Sequence, residues 1–110
     1  MALVKTVKRH DVVLVPLDPA VGAEIKKTRP CVVVSPDEVN RHLDTVIVAP
    51  MTTTVRGYPS RVAVKFSGKN GEVALDQIRA IDKSRIHRRV GALPPEAAKA
   101  VTAVLLQMFA

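Results

Sequence analysis

Five short β-rich runs constrain this chain more than any other feature: Val12–Leu17, Arg29–Ser35, Thr45–Pro50, Arg61–Phe66 and Glu72–Ile78. Each is strand-sized and closed by turn residues. Parallel neighbours in a sheet need a crossover of a dozen residues or more, usually a helix. No gap between these runs carries one. Asp37–His42 has room for a single helical turn, with Ser35 or Asp37 as its cap. Antiparallel pairing through hairpin-like turns is what remains, and 110 residues make one domain with one modest core.

The runs differ in what they ask of their neighbours. Pro16 cannot donate to a ladder, so the first run reads as an edge strand or a bulge. Val32–Val34 is continuously apolar and asks for cover on both faces. Arg61–Phe66 alternates, with Val62, Val64 and Phe66 inward and Arg61, Ala63 and Lys65 on a basic outer face. Ser67–Gly71 reads as the hairpin loop, with Asn70-Gly71 its strongest cue. Asp82 is placed to cap a short basic helical segment through Arg89. Pro95 fits the first turn of a last helix, where its missing N–H costs nothing. Ala97, Val101, Val104, Leu105 and Met108 then recur at helical spacing and face the sheet. The expected architecture is mainly β: a small, curled, barrel-like antiparallel sheet of about five strands with short helices and a C-terminal helix.

Charge points to the partner. Seventeen Lys and Arg against ten Asp and Glu give a net +7, which suits a polyanion, with nucleic acid the first candidate and an acidic protein segment the second. The single cysteine, Cys31, excludes an internal disulfide and a cysteine-rich zinc site, and its apolar setting suits an inert buried thiol. His10, His42 and His87 have no metal-ligand spacing, so no metal and no cofactor is expected. Met1–His10 is basic but no apolar stretch follows it, and no run approaches a membrane span, so a cytoplasmic protein is expected. With aromatic residues at 3%, only Tyr58, in a loop, offers a stacking platform for bases.

The polar residues with chemistry to offer cluster at two places. Glu24-Ile25-Lys26-Lys27-Thr28-Arg29-Pro30 feeds the second strand, and Thr52-Thr53-Thr54 ends the third. A carboxylate, a guanidinium and a hydroxyl on a basic surface suit chemistry on a phosphodiester. Arg29 offers planar, bidentate donors that match a phosphate; its bland alternative is an ion pair with Asp18 or Glu24. Glu24 is the base candidate, although a carboxylate is a weak base unless its surroundings raise its pKa. The alternative for Glu24 is a solvated loop residue.

The order and spacing of several short motifs are those of a known family. Asp11-Val12-Val13-Leu14-Val15, Leu17-Asp18-Pro19, Val21-Gly22-Ala23-Glu24 and Thr28-Arg29-Pro30-Cys31-Val32-Val33-Val34-Ser35 come first. Val48-Ala49-Pro50-Met51-Thr52-Thr53, Gly57-Tyr58-Pro59 and Gly71-Glu72-Val73-Ala74-Leu75-Asp76-Gln77-Ile78-Arg79 follow. The chain resembles the MazF/PemK toxins of bacterial type II toxin–antitoxin systems. That resemblance implies a plug-like, SH3-like barrel and a homodimer. It also implies sequence-selective, metal-independent cleavage of single-stranded mRNA, arresting translation and growth. The RNA's own 2′-OH would attack, leaving a 2′,3′-cyclic phosphate and a 5′-OH. Neutralisation by an acidic-tailed MazE/PemI-like antitoxin is implied too, with operator DNA as a ligand of that complex. The sequence departs from the family pattern at His10, where glycine is usual, at Thr28, where some members carry histidine, and at Ala74, where some carry arginine.

On this resemblance Arg29, Glu24 and Thr52 are the catalytic set. Arg29 stabilises the transition state, Glu24 takes the 2′-OH proton, and Thr52, in the family's Pro-x-Thr pattern, holds a phosphate oxygen. Thr53 is the fallback for that role, and either threonine has the commoner alternative of bonding its own turn. Lys27, Thr53, Arg56, Tyr58, Gln77 and Arg79 are the RNA-binding candidates, with Gln77 reading a base edge or, with Asp76, supporting the dimer. Lys65, Lys83, Arg85, Arg88 and Arg89 join Arg56 and Arg79 as phosphate or antitoxin contacts. Two other functions share the barrel: a gyrase-poisoning toxin, and an RNA-binding module without activity.

Overall fold

A computed structural model describes residues 6–110, so Met1 to Lys5 of the basic leading stretch lie outside the described residues. Among these residues seven strands form, rather than five: β1 Asp11–Pro16, β2 Thr28–Val33, β3 Thr45–Thr52, β4 Arg61–Phe66, β5 Lys69–Ala74, β6 Arg79–Asp82 and β7 Arg88–Ala92. Two helices accompany them, α1 Asp37–His42 and α2 Pro95–Phe109. All pairings are antiparallel, in the order β4-β5-β3-β2-β1-β7, with β6 also on β3.

The curl of the sheet comes from β3, which changes partner along its length. Thr45–Val48 pairs with β6, and Met51 and Thr52 pair with β5. Pro50, with no N–H to give, falls at the changeover, where the ladder on that side is interrupted anyway. The run expected as one strand, Glu72–Ile78, is therefore the end of β5 and a single tight turn at Leu75–Gln77, after which β6 begins at Arg79. Likewise Asp82 caps only Lys83–Arg85, its Oδ1 accepting from the Ser84 N–H at 2.9 Å. The residues beyond extend as β7 because β1 offers them a ladder, and this tertiary pairing overrides the local helical cue.

Several local expectations are corrected for equally physical reasons. β1 is interior, between β2 and β7; Pro16 is its last residue, and the bulge lies at Val12/Val13 instead. Neither Ser35 nor Asp37 caps α1. Ser35 is buried and bonds the Asn40 side chain and the Ile47 N–H, which ties α1 to β3. The hairpin turn is Ser67-Gly68, with φ of 51° and 76°, and Asn70-Gly71 lies within β5. Both central residues there need positive φ, as in a two-residue primed turn. Met108 points outward at 38% exposure, while Val101 is fully buried and Ala97, Val104 and Leu105 pack on the sheet. His10 has φ 73°, a left-handed conformation, which gives the family's usual glycine at that position a reason; histidine is among the residues that tolerate it.

Two apolar clusters cover the two faces of β1, β2 and β3, as Val32–Val34 requires. Val13, Val15, Cys31, Val33, Val48 and Ile81 belong to one; Val12, Val32, Ala49, Met51, Val73 and Val101 belong to the other. Cys31 is fully buried, and burial pushes its thiol up to about 12. The thiolate is the reactive form. Native protein at neutral pH should therefore leave Cys31 unmodified by a thiol-specific reagent, with full labelling only in denaturant; rapid native labelling would contradict this burial.

Candidate active site

The register of β2 on β3 sets the site. Cys31 stands opposite Pro50 in the last pair of that ladder, and just past it Arg29 and Thr52 line the same two cavities. The loop over residues 17–27 lies on one side and the loop over residues 53–60 on the other. Between them is a groove of about 540 Å³, lined by Glu24, Lys26, Arg29, Thr52, Thr54, Arg56, Tyr58, Arg61, Asp76 and Gln77 among others. A second cleft of about 350 Å³ shares Arg29 and Thr52 and is otherwise floored largely by apolar side chains such as Met51, Val64 and Phe66. Arg29 and Thr52 thus form the ridge between two cavities.

Arg29 is half-buried, and its Nε donates to the Lys26 carbonyl at 3.0 Å. No ion pair to Asp18 or Glu24 forms among the described residues, so the terminal guanidinium nitrogens face the cavities without a carboxylate against them. Thr52 Oγ1 accepts from the Thr54 N–H at 3.1 Å. That is the turn role, yet the hydroxyl keeps its proton to donate. Glu24 is exposed, and its Oε1 accepts from the Val21 N–H at 2.7 Å, which closes a tight turn in the loop.

The other expected contacts divide. Arg56 and Tyr58 line the groove, and Thr53 lines the second cleft with Thr28. Lys27 has φ 72°; its N–H bonds Asp18 Oδ2 and its carbonyl bonds the Leu17 N–H, so its backbone closes the loop while its side chain lines neither cavity. Gln77 lines the groove, but Oε1 accepts from the Ile25 N–H at 2.6 Å and Nε2 donates to the Ala23 carbonyl at 3.3 Å. Its amide holds the loop. Arg79 donates to the Leu17 carbonyl, Arg85 to the Pro16 carbonyl and Lys83 to the Asn40 carbonyl, and Arg89 pairs with Asp11 at 3.1 Å. Several cations that composition assigns to a partner therefore serve the fold. Arg88 lines the second cleft. Among the described residues no cluster of His, Cys, Asp and Glu is placed to hold a metal ion.

The structure adds a network that spacing did not reveal. Glu72, 3% exposed, accepts from the Arg56 N–H at 3.0 Å, the Gly57 N–H at 2.8 Å and Arg61 Nη1 at 3.3 Å. Arg61 continues to Asp76, with Nε to Oδ1 at 2.7 Å, and its guanidinium lies 5.1 Å from the centre of the Tyr58 ring. Alternation puts Arg61 on an outer basic face; the two carboxylates instead draw it down, leaving its side chain 7% exposed. Ala74, fully buried, stands opposite Arg61 in the β4–β5 ladder. The signal in the sequence is Glu72 itself, a lone charge at the head of the apolar run Val73-Ala74-Leu75.

These bonds hold Glu72 below the usual carboxylate range, first through the Arg56 N–H, against the opposing effect of burial. Asp76 is lowered chiefly by its bond from Arg61, and Asp82 chiefly by Ser84. Each carboxylate binds its proton less readily folded than unfolded. Their stabilisation is thus complete above the unfolded pKa values and is lost as pH falls through the lowered folded values. Thermal midpoints measured along a pH series should be flat above about pH 5 and fall below about pH 4. A midpoint that rose on acidification would contradict the network.

Residues 8–109 match the family described as PemK-like, MazF-like toxin of type II toxin-antitoxin system. The chain is 33% identical over 100 residues to the protein named endoribonuclease MazF of Staphylococcus saprophyticus, covering 86% of this chain and 83% of that one. Its fold is similar to the crystal structure of MazF (Form-I) from Deinococcus radiodurans, with TM-score 0.81, 25% identity, and coverage of 94% and 96% of the two chains. It is similar as well to an endoribonuclease in complex with its cognate antitoxin from Mycobacterial species, with TM-score 0.80, 25% identity and 94% of each chain covered. These likenesses bear out the mainly antiparallel β architecture with short helices and a C-terminal helix.

Proposed function

The chain belongs to the PemK-like, MazF-like family of type II toxin–antitoxin toxins, and from that premise we propose that it is a sequence-selective endoribonuclease cutting single-stranded RNA without a metal ion. The observation that carries the reading is Arg29 beside Thr52 on the ridge between two cavities, its guanidinium not neutralised by a carboxylate. In the reaction proposed, the ribose 2′-oxygen forms a bond to phosphorus while the bond from phosphorus to the 5′-oxygen breaks. The products are a 2′,3′-cyclic phosphate and a 5′-OH. Glu24 takes the 2′-OH proton. Arg29 neutralises the charge that grows on the non-bridging oxygens as the phosphorane forms. Thr52 donates a hydrogen bond from its hydroxyl to one of those oxygens. A guanidinium stays protonated in proteins, so we assign Arg29 the charge role; the departing 5′-oxygen takes its proton from solvent water, and the proton taken up by Glu24 returns to solvent.

Thr52→Val removes that donor and nothing of the volume. A hydrogen bond to a charged group is worth about 1.5–3 kcal/mol, so turnover should fall about 10- to 100-fold. Wild-type turnover would move the role elsewhere, Thr53 being the neighbour to test.

The reading carries two partners besides RNA: a second copy of the chain, and an antitoxin with an acidic segment that occupies the groove and its cationic rim. Support for the antitoxin comes from relatives such as the mycobacterial endoribonuclease described with its cognate antitoxin. Incubating the purified chain with a long unstructured RNA in EDTA, and mapping the ends, tests the whole reading. Discrete cuts with 5′-OH and cyclic phosphate ends are expected. Intact RNA from folded protein, on a substrate covering all short motifs, would return the chain to a binding module or a gyrase-directed toxin.

A further inference from the structure

Glu72 is a buried titratable group to which the cleavage chemistry gives no part. Its surroundings are unusual for a structural carboxylate in a sheet. Both oxygens are used, and two of the three donors are consecutive backbone N–H groups, Arg56 and Gly57, in the middle of the loop over residues 53–60. That loop is otherwise exposed and carries Arg56 and Tyr58 into the groove. Glu72 also stands directly opposite Thr52 in the β3–β5 ladder, one strand from the ridge. On its other side Arg61 passes the connection to Asp76, and the adjoining Gln77 holds Ile25 and Ala23 in the opposite wall. Hydrogen bonds on either side of the Asp76–Gln77 peptide link therefore join the two loops that line the groove.

We propose that Glu72 is the positioning residue of this groove: its carboxylate fixes the wall bearing Arg56 and Tyr58 at the separation from the Glu24 wall that a single RNA strand requires. This rests on the endoribonuclease reading for its substrate, but the positioning is a physical claim about the loop. A mobile wall would have to be ordered each time RNA bound, and that cost appears in affinity. A fixed wall is ordered in advance. Glu72 touches no substrate in this account and acts through the backbone of Arg56 and Gly57.

Glu72→Gln keeps the size of the side chain and removes one acceptor. A carboxamide oxygen can serve one of the two N–H groups, while its NH₂ meets the other as a second donor. Three measurements on the full chain decide the proposal: backbone amide exchange at Arg56 and Gly57, KM and kcat on single-stranded RNA, and the thermal midpoint. Exchange at these two amides should rise about tenfold or more in Glu72→Gln, from one lost hydrogen bond. KM should rise about tenfold, with kcat changed less than about threefold, because the loss is in binding rather than in the transition state. Unchanged exchange overturns the proposal. So does a lowered midpoint with KM and kcat of the folded protein unaltered, the result for a residue that is only structural. Should Glu72→Gln not fold, Glu72→Asp supplies the same test, since the shorter side chain keeps the charge but draws both oxygens back from the Arg56 and Gly57 N–H groups. If wild-type protein cuts no RNA, the endoribonuclease reading falls. The dissociation constant for that same intact RNA, in wild type and variant, then decides the positioning claim by itself.

Discussion

Replacing Arg29 with alanine should lower RNA cleavage by about 100- to 1,000-fold, the range seen when one preorganised donor is removed from an oxyanion site. The fold should survive. Arg29 is half-buried at the start of β2. Its side chain gives one hydrogen bond, to the Lys26 carbonyl, and makes no ion pair among the described residues. Removing it strands no buried charge, so the thermal midpoint should shift by only a few degrees. Arg29→Lys should land between wild type and alanine, because an ammonium keeps the charge and loses the planar two-point grip. The measurement is kcat/KM on a single-site oligonucleotide alongside the midpoint of each variant. Full cleavage by folded Arg29→Ala would remove the residue from the mechanism, and cleavage lost only in step with unfolding would make it structural.

The largest expected effect on stability is elsewhere, at Gly71. A Cβ built there would lie 2.3 Å from the Thr52 carbonyl oxygen and 3.1 Å from its carbon, both backbone atoms of the neighbouring strand. The contact cannot be relieved by turning a side chain, so β5 must move off β3. Overpacking of this kind costs about 2–3 kcal/mol, which in a chain of this size lowers the thermal midpoint by about 10 °C. Activity should fall beyond the loss of folded protein, because the residue pushed is Thr52. Gly68→Ala is the control. Its φ is 76° but nothing lies within 4 Å of the added methyl, so it carries only the backbone cost, about 1 kcal/mol. Equal effects at the two glycines would mean that conformation, not space, decides both.

The same two glycines show where sequence patterns stop short. Asn70-Gly71 is the stronger hairpin cue by composition, yet the turn forms three residues earlier, at Ser67-Gly68. A local rule sees that glycine permits a turn; it cannot see that Gly71 is there to let another strand approach. The segment after Asp82 is similar. Its residues are compatible with a helical turn, and only the ladder offered by β1 extends them as β7. Arg61 illustrates the point for the site. Period-two alternation places it outward correctly as a direction, but two carboxylates that are distant in sequence decide that it is buried.

What the sequence determined by itself was the kind of sheet and the residues from which the site is proposed. Short runs without crossover helices dictate antiparallel pairing, continuous valines dictate cover on both faces, and Glu24, Arg29 and Thr52 mark two strand ends. These are local or periodic facts, set by chain reach and by the alternation of side chains. Only the tertiary structure decided that β3 changes partner at Pro50, that Arg29 lies beside Thr52 between two cavities, and that Glu72 ties one groove wall to the other through Arg61, Asp76 and Gln77. The physical reason is that each depends on a register between strands far apart in the chain, and a shift of one residue turns every side chain to the opposite face.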